Sequence, residues 1–362
     1  MTRARGRFGA NGSGMSALRR QPMLVLCCLG LGAALCLSAL AAIGLGAVSI
    51  PFGTTWSVVG AELGMAPPAA EPAWTRAERN IVWELRLPRA LLGAAAGAGL
   101  AAVGGVLQVL TRNPLADPYL FGVSAGAAFG AVLVILYAGT FAGPWTLPGA
   151  AFLGALGAMA LVFGAARGRD GPPTSERLIL TGVAIGFILH AATNFLIFGA
   201  IDRGAAEAAL FWMMGGLSAA RWATVPVPLA ITVAGVVWMC LRAPSVNALA
   251  FGDDTARSLG VDPARLRAEM FVVSSLVTGA IVSASGGIGF VGLVMPHIVR
   301  MVVGGDLRRL LPLASLLGAI FLLWVDVLAR SLFAPREIPL GVMTASVGGA
   351  FFLWLMRRRA GR

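Results

Sequence analysis

The chain has 362 residues, of which 58% are hydrophobic and only 12% are charged, and its formal net charge is +12. A soluble domain carries about 25% charged residues, so this composition excludes a soluble globular protein and indicates a membrane protein with many spans. The basic residues recur between apolar runs, as membrane topology requires, and do not form one soluble basic face. We therefore expect a lipid bilayer, and no nucleic acid, as a partner.

All 28 basic residues are arginine, because the sequence contains no lysine. A lysine-free chain has no Walker A phosphate loop and no lysine for a retinal Schiff base. Any ATP hydrolysis linked to this protein must therefore occur on another chain. We predict no catalytic residues and no cofactor bound by this chain. We also predict no metal site, because the four cysteines lie in apolar runs without metal-binding spacing: Cys27, Cys28, Cys36 and Cys240.

The N-terminal part divides into a tail and the start of one transmembrane domain. Residues 1–20 are rich in Gly, Ser and Arg, and we predict a disordered cytoplasmic tail. Residues 21–362 form the transmembrane domain. Its first predicted helix is the apolar run from Pro22 to Ala61, which is too long for the core of a signal peptide. A Pro-containing loop follows from Glu62 to Glu84.

The next stretch is the one around which the chain is organised. Residues Ala90 to Thr111 contain no charge and are mostly Gly and Ala in the middle. Small residues let neighbouring helices approach closely in lipid, so we predict a membrane helix packed inside a bundle. Arg86 and Arg89 stand at one end of it. At the other end, Asn113-Pro114 and Asp117-Pro118 indicate a tight polar turn.

The remaining apolar runs complete an all-α membrane protein of about ten transmembrane helices. One run breaks at the proline turn Ala142–Trp145, and another breaks at the small-residue stretch Ser283–Gly287. The runs are Pro118–Ala166, Leu178–Ile201, Trp222–Leu241, Met270–Val299, Leu310–Phe333 and Ile338–Met356.

Orientation follows from the arginines in the short loops. With the N-terminus in the cytoplasm, 20 of the 28 arginines fall in inside segments and eight fall outside. The positive-inside rule then predicts two cytoplasmic termini and ten crossings. Arg86, Arg89 and Arg330 lie at the outer face, whereas the turn at Asn113 is cytoplasmic.

Two polar segments between the spans have helical patterns of their own. Gly204–Ala220 is half apolar and predicts a short helix that dips into the outer surface. Residues 243–267 form the longest internal cytoplasmic segment, and a soluble amphipathic helix at that face usually has a protein partner. Its pattern consists of apolar residues at helical spacing and a glycine stop: Leu249, Ala256, Leu259 and Gly260.

Three motifs have a functional interpretation beside a structural one. Ser124 lies in a G-x-S-x-G pattern, but a hydrolase needs that pattern on a strand–turn–helix elbow, and no strand is predicted. His190 and His297 are each alone in an apolar run, which favours packed or hydrogen-bonded histidines over a metal site or proton relay. Asp326 is the one acid in its apolar run, and Arg330, one turn away, is the expected ion-pair partner.

Seven stretches then resemble the iron-chelate and cobalamin type of ABC importer permease (FecCD-like). They occur in order over nearly everything after Trp83: WELRLPRALLGAAAG, QVLTRNPLADPYLFGVSAGAAFG, RLILTGVAIG, WMMGGLSAARW, NALAFGDDTARSLGV, GGIGFVGLVMPHIVR and EIPLGVMTASVGGAFFLWL.

The resemblance implies a homodimeric type II ABC importer permease with ten helices per subunit. It lies in the bacterial cytoplasmic (inner) membrane. Two ATP-binding cassette subunits bind ATP and Mg²⁺ below it, and a periplasmic or lipid-anchored substrate-binding protein docks above it. The family carries ferric siderophores, haem and cobalamin, and base rates favour a ferric siderophore here. The competing classes are an ion-coupled secondary carrier that uses Asp326 and an intramembrane hydrolase centred on Ser124.

The resemblance also implies roles for individual residues. Arg86, Arg89 and Arg330 receive acidic residues of the binding protein. The cytoplasmic gate combines the turn at Asn113 and Leu115 with the loop at Thr174 and Ser175. The ATPase-coupling helix takes in Asn247, Leu249, Gly252, Asp253, Asp254, Ala256, Arg257, Leu259 and Gly260.

Overall fold

The computed structural model describes residues 13–46, 48–65, 74–167 and 175–360, and these residues form helices without a β-strand. The predicted tail lies largely outside the described residues, but residues 13–20 belong to the first helix. The helices are α1 Ser13–Gly44, α2 Phe52–Glu62, α3 Arg76–Arg79, α4 Leu87–Leu110, α5 Val123–Leu133, α6 Thr146–Ala166, α7 Ser175–Phe198, α8 Arg203–Met213, α9 Pro226–Ala250, α10 Asp253–Ser258, α11 Pro263–Ser285, α12 Val291–Val303, α13 Leu307–Ser331 and α14 Leu340–Ala360.

Eight helical segments among the described residues are long and apolar enough to cross a membrane. One of them is the continuous helix Arg76–Leu110, in which π-helical turns over Asn80–Arg86 join α3 to α4. Two further apolar helices are shorter, Val123–Ala138 and Val291–Val303. The chain is therefore an all-helical, multi-pass membrane protein.

Helix α4 is the centre of the bundle, as its Gly/Ala-rich sequence predicts. Its apolar window is 83% buried, and it packs against α9, α11, α12 and α13. Two glycines make this packing possible. A Cβ at Gly97 would overlap the carbonyl of Gly318 in α13, and a Cβ at Gly104 would overlap the carbonyl of Gly292 in α12.

Two predicted breaks are present, and one predicted helix is wrong. A short 3-10 turn at Gly143–Trp145 separates α5 from α6, and α11 ends at Ser285 before α12 begins at Val291. The run Pro22–Ala61 is not one helix, because α1 ends at Gly44 and α2 begins only after Pro51. Proline lacks the N–H that a continuing helix needs, so the chain turns there.

The predicted cytoplasmic segment 243–267 is also more compact than its sequence indicates. Helix α9 continues through Pro244 to Ala250, and α11 already begins at Pro263. Only residues 251–262 connect them, with α10 as a helix of six residues. Its glycine boundaries were predicted correctly: Gly252 and Gly260 have φ of 112° and 77°, values that favour glycine.

Candidate functional site

The predicted outer arginines take part in a buried network at the junction of α1, α4 and α13. Arg89 donates from Nε to Asp326 at 2.9 Å, and its two Nη atoms donate to the two carboxylate oxygens of Glu337 at 2.9 and 3.0 Å. Paired, charge-assisted hydrogen bonds of this kind hold a guanidinium in one orientation. Arg330 Nε lies 3.3 Å from Asp326, so Asp326 faces the expected partner and a second one, Arg89.

Arg86 and Arg330 close the end of α1. Arg86 is 8% exposed and donates to the carbonyls of Ile43 and Gly44, both at 2.8 Å, and to that of Val48. Arg330 is 7% exposed and donates to the carbonyl of Ala42. The last carbonyls of a helix have no partner within it, and arginine side chains supply one here.

These contacts favour anchoring over docking for the two buried arginines. A guanidinium that receives a partner protein's carboxylate must be accessible to that protein, whereas Arg86 and Arg330 are buried and donate to carbonyls at the end of α1. The docking role of Arg86, Arg89 and Arg330 stays a prediction. Four other arginines of the predicted outer segments are exposed: Arg76, Arg203, Arg221 and Arg336.

At the opposite end of the bundle, Asp253 joins the ends of four helices. Arg267 of α11 binds both of its oxygens, at 2.6 and 2.8 Å, and Arg112, just after α4, binds it at 3.0 Å. Arg112 also donates to the carbonyl of Leu249 near the end of α9. The hydrogen bonds from Arg267, followed by the charges of Arg267 and Arg112, hold the pKa of Asp253 below its usual value. Asp253 therefore serves as an ionised clamp between α10 and the bundle.

The predicted coupling residues divide into a buried set and an exposed set. Ala256 is 0% exposed, Leu249 is buried, and Asn247 binds Asp306 at 2.7 Å and the N–H of Leu307 at 3.0 Å. These three hold α9, α10 and α13 together. The residues that face outward form what we call the coupling surface: Phe251, Asp254, Arg257 and Leu259.

Phe251 is the part of the coupling surface that sequence reasoning missed. It is 76% exposed and Leu259 is 65% exposed, so two large apolar side chains flank α10. Phe251 directly follows Ala248, Leu249 and Ala250 as the C-cap residue of α9, and the local sequence does not show which way its side chain faces. Two exposed apolar side chains beside charged ones are typical of a docking surface.

The predicted gate is described on one side only. Asn113 Oδ1 accepts from the N–H of Leu115 at 2.9 Å, which fixes the turn, and Leu115 is exposed. Asp117 caps the following 3-10 turn by accepting from the N–H of Tyr119 at 2.9 Å. Burial raises the pKa of Asp117 to about 6. Thr174 lies outside the described residues, and the side chain of Ser175 does too, so the gate assignment stays a prediction.

A cavity of about 400 Å³ lies between α5, α7 and the end of α8. Its polar lining includes Tyr119, Ser124 and His190, and its apolar lining includes Phe187, Trp212 and Met213. Ser124 stands in the first turn of α5 and follows no strand in the described chain, so the hydrolase interpretation finds no elbow here.

The two histidines have different surroundings. His297 is buried, with its ring centroid 6.1 Å from that of Phe351, as expected for a packed histidine. His190 is exposed on the cavity wall, and no residue in the described part of the chain hydrogen-bonds to it. Within the described residues of one copy, His190 is therefore neither packed nor hydrogen-bonded, and for the assembled protein its packing stays a prediction.

The apolar spans pack around a Gly-lined central helix with a polar cluster at each end, which defines a polytopic membrane protein. The profile of the FecCD transport family matches residues 34–358. The chain belongs to this family.

Individual relatives agree with the family match. The chain is 43% identical to the cobalamin import system permease protein BtuC of Halobacterium salinarum over 77% of this chain and 74% of that protein. It is 37% identical to the hemin transport system permease protein HmuU of Yersinia pestis, over 94% of this chain and 97% of that protein. A solved structure described as a metal-chelate type ABC transporter in an inward-facing conformation superposes with a TM-score of 0.78 at 30% identity. The superposition covers 91% of this chain and 98% of the chain in that structure.

Proposed function

We propose that this chain is the permease subunit of an ATP-driven importer that moves a metal chelate into the cytoplasm. The chelate is a ferric siderophore, haem or cobalamin. The observation that carries the proposal is the coupling surface. The six-residue helix α10 is held through Asp253 and Arg112 to the ends of α4, α9 and α11, so an ATPase bound to α10 can move the bundle. The family and the permease relatives support the same function.

The proposed assembly contains two copies of the chain and two ATP-binding cassette subunits, which bind ATP and Mg²⁺. It lies in the bacterial inner membrane with both termini in the cytoplasm and ten crossings per copy, two of them by the shorter helices at Val123 and Val291. The exposed face of α7 supports a second copy that encloses a polar path together with this one. The face carries His190 and Asn194 one turn apart, and polar side chains in a span face protein or water, not lipid, so we place it beside the path between the two copies.

Native mass spectrometry of the chain co-expressed with its ATPase tests this assembly. We expect two permease and two ATPase chains in one particle, because each copy carries one coupling surface. Adding a non-hydrolysable ATP analogue should keep the same stoichiometry. A particle with a single permease chain, or a permease that never retains the ATPase, would contradict the proposal.

Docking of the substrate-binding protein gives a second prediction. We propose that the exposed arginines Arg203, Arg221 and Arg336 attract acidic residues of that protein. Reversing the three exposed charges to Glu should weaken docking at least tenfold in nanodiscs at low salt, and raising the salt should weaken wild-type docking.

The comparison variant changes Arg86, which is buried, and Arg89, which is half-buried. Arg86→Glu with Arg89→Glu should lower the yield of folded protein, because it removes partners from α1, Asp326 and Glu337. The double variant could instead fold normally and lose docking while the triple variant docks like wild type. In that case Arg86 and Arg89 are docking residues, as the sequence predicts.

A further inference from the structure

The cavity beside α7 has the composition of a contact site for a metal complex. The described residues contain no group of three His, Cys, Asp or Glu side chains able to hold a metal ion. A bare ion needs several protein ligands, so His190 is not a site for one. A metal inside a macrocycle is different, because the ring already supplies the equatorial ligands and leaves only axial positions to the protein.

The side chains around this cavity suit such a complex. Histidine, methionine and tyrosine are all used by proteins as axial ligands of haem iron, and His190, Met213 and Tyr119 line the same cavity. Tyr119 is already held, since its hydroxyl accepts from the N–H of Ile288 at 2.7 Å. His190 makes no hydrogen bond to a described residue, so a ring nitrogen is available. Phe187 and Trp212 add aromatic surface on which a flat ring stacks.

The position of His190 excludes a simple surface role. It lies 15 residues after the start of α7, roughly 22 Å along the helix axis at 1.5 Å per residue. An imidazole at that depth in a span faces a cavity or a partner because lipid offers it no hydrogen bond. Asn194, one turn further along, is also exposed and extends the same polar face.

We propose that His190 is an axial contact for the substrate during passage and that the substrate is a metal macrocycle with an exchangeable axial position. This inference rests on the proposed transport function and narrows it. The lone pair of a neutral imidazole nitrogen forms a bond to the metal, and the axial water leaves. The oxidation state does not change, and no proton is transferred. A hexadentate ferric siderophore has no free coordination position, so His190 cannot bind its iron.

The test uses the permease–ATPase complex in nanodiscs, titrated with haemin and followed by visible absorption. We expect the wild type to bind haemin with the spectral change of imidazole ligation. His190→Ala and His190→Gln should both lower haemin affinity at least tenfold, and neither should change binding of metal-free protoporphyrin IX. Leu180→Ala, at an exposed position of the same helix outside the cavity lining, is the matched control and should keep the wild-type spectrum.

Haemin and aquacobalamin distinguish a porphyrin from a corrinoid substrate, because each has an exchangeable axial ligand. Cyanocobalamin holds its axial cyanide firmly, so it should give no spectral change. A His190-dependent shift with haemin identifies a porphyrin substrate, and a shift with aquacobalamin alone identifies a corrinoid. Either result supports the axial contact.

Unaltered haemin and aquacobalamin spectra with the wild type would overturn the inference, as would a His190→Ala variant that ligates like the wild type. If the same complex then moves a ferric siderophore with ATP, the proposed transport function stands and only the axial contact fails. If ATP drives no chelate at all, the proposed function itself fails.

Discussion

Replacing Phe251 and Leu259 with aspartate should abolish ATP-driven uptake and reduce ATPase binding at least tenfold. Both side chains are exposed and apolar, and they flank α10 on the side away from the bundle. Apolar side chains at the centre of an interface carry much of its binding energy, and a buried unpaired carboxylate opposes association. Co-purification of the ATPase with the solubilised permease measures the effect.

The control for this pair is the conservative variant Phe251→Leu with Leu259→Met, which should retain the ATPase. Ala256 is unsuitable for such a test although its sequence position favours it. Ala256 is fully buried, so Ala256→Asp would destabilise the fold, and a loss of ATPase binding would not report on the interface. Normal ATPase recovery with the double aspartate variant would reject the coupling surface.

Replacing Asp326 with alanine should destabilise the permease by about 3–5 kcal/mol, since it leaves the buried Arg330 without its counter-charge and leaves Arg89 with Glu337 alone. Arg89 and Arg330 both face Asp326, whose side chain is 3% exposed. The thermal midpoint of the detergent-solubilised protein, followed by tryptophan fluorescence, measures the loss.

Glu337→Gln is the matched control, because Glu337 binds the same guanidinium of Arg89 at a more exposed site. Its effect should stay within about 0–1 kcal/mol, the range of exposed ion pairs. If Asp326→Ala is as mild as Glu337→Gln, the buried network does not hold α4 to α13.

The sequence was informative wherever a property depends on neighbouring residues. Charge-free runs predicted the spans, the Gly/Ala content of α4 predicted its central place, and proline and glycine predicted the breaks at Gly143 and Ser285. The helix boundaries of α10 followed from Gly252 and Gly260, whose backbone angles need no tertiary contact.

The sequence was uninformative where a property depends on distant partners. Arg86 caps α1 from 43 residues away and Arg330 from 288, so neither role is visible in a local pattern. Asp326 has its expected helical neighbour Arg330, yet its shorter contact is with Arg89, 237 residues away. His190 looks like any lone histidine in an apolar run, and only the packing of α5, α7 and α8 shows that it lines a cavity.

ATP hydrolysis on a partner chain should move a metal chelate through this permease. Proteoliposomes that contain the permease, its ATPase and its binding protein provide the most direct measurement, with labelled haemin, cobalamin and a ferric siderophore offered in turn. We expect accumulation of one chelate with ATP and Mg²⁺, and none with a non-hydrolysable analogue or with a proton or sodium gradient alone. Accumulation driven by an ion gradient without ATP would contradict ATP-driven import and favour an ion-coupled secondary carrier.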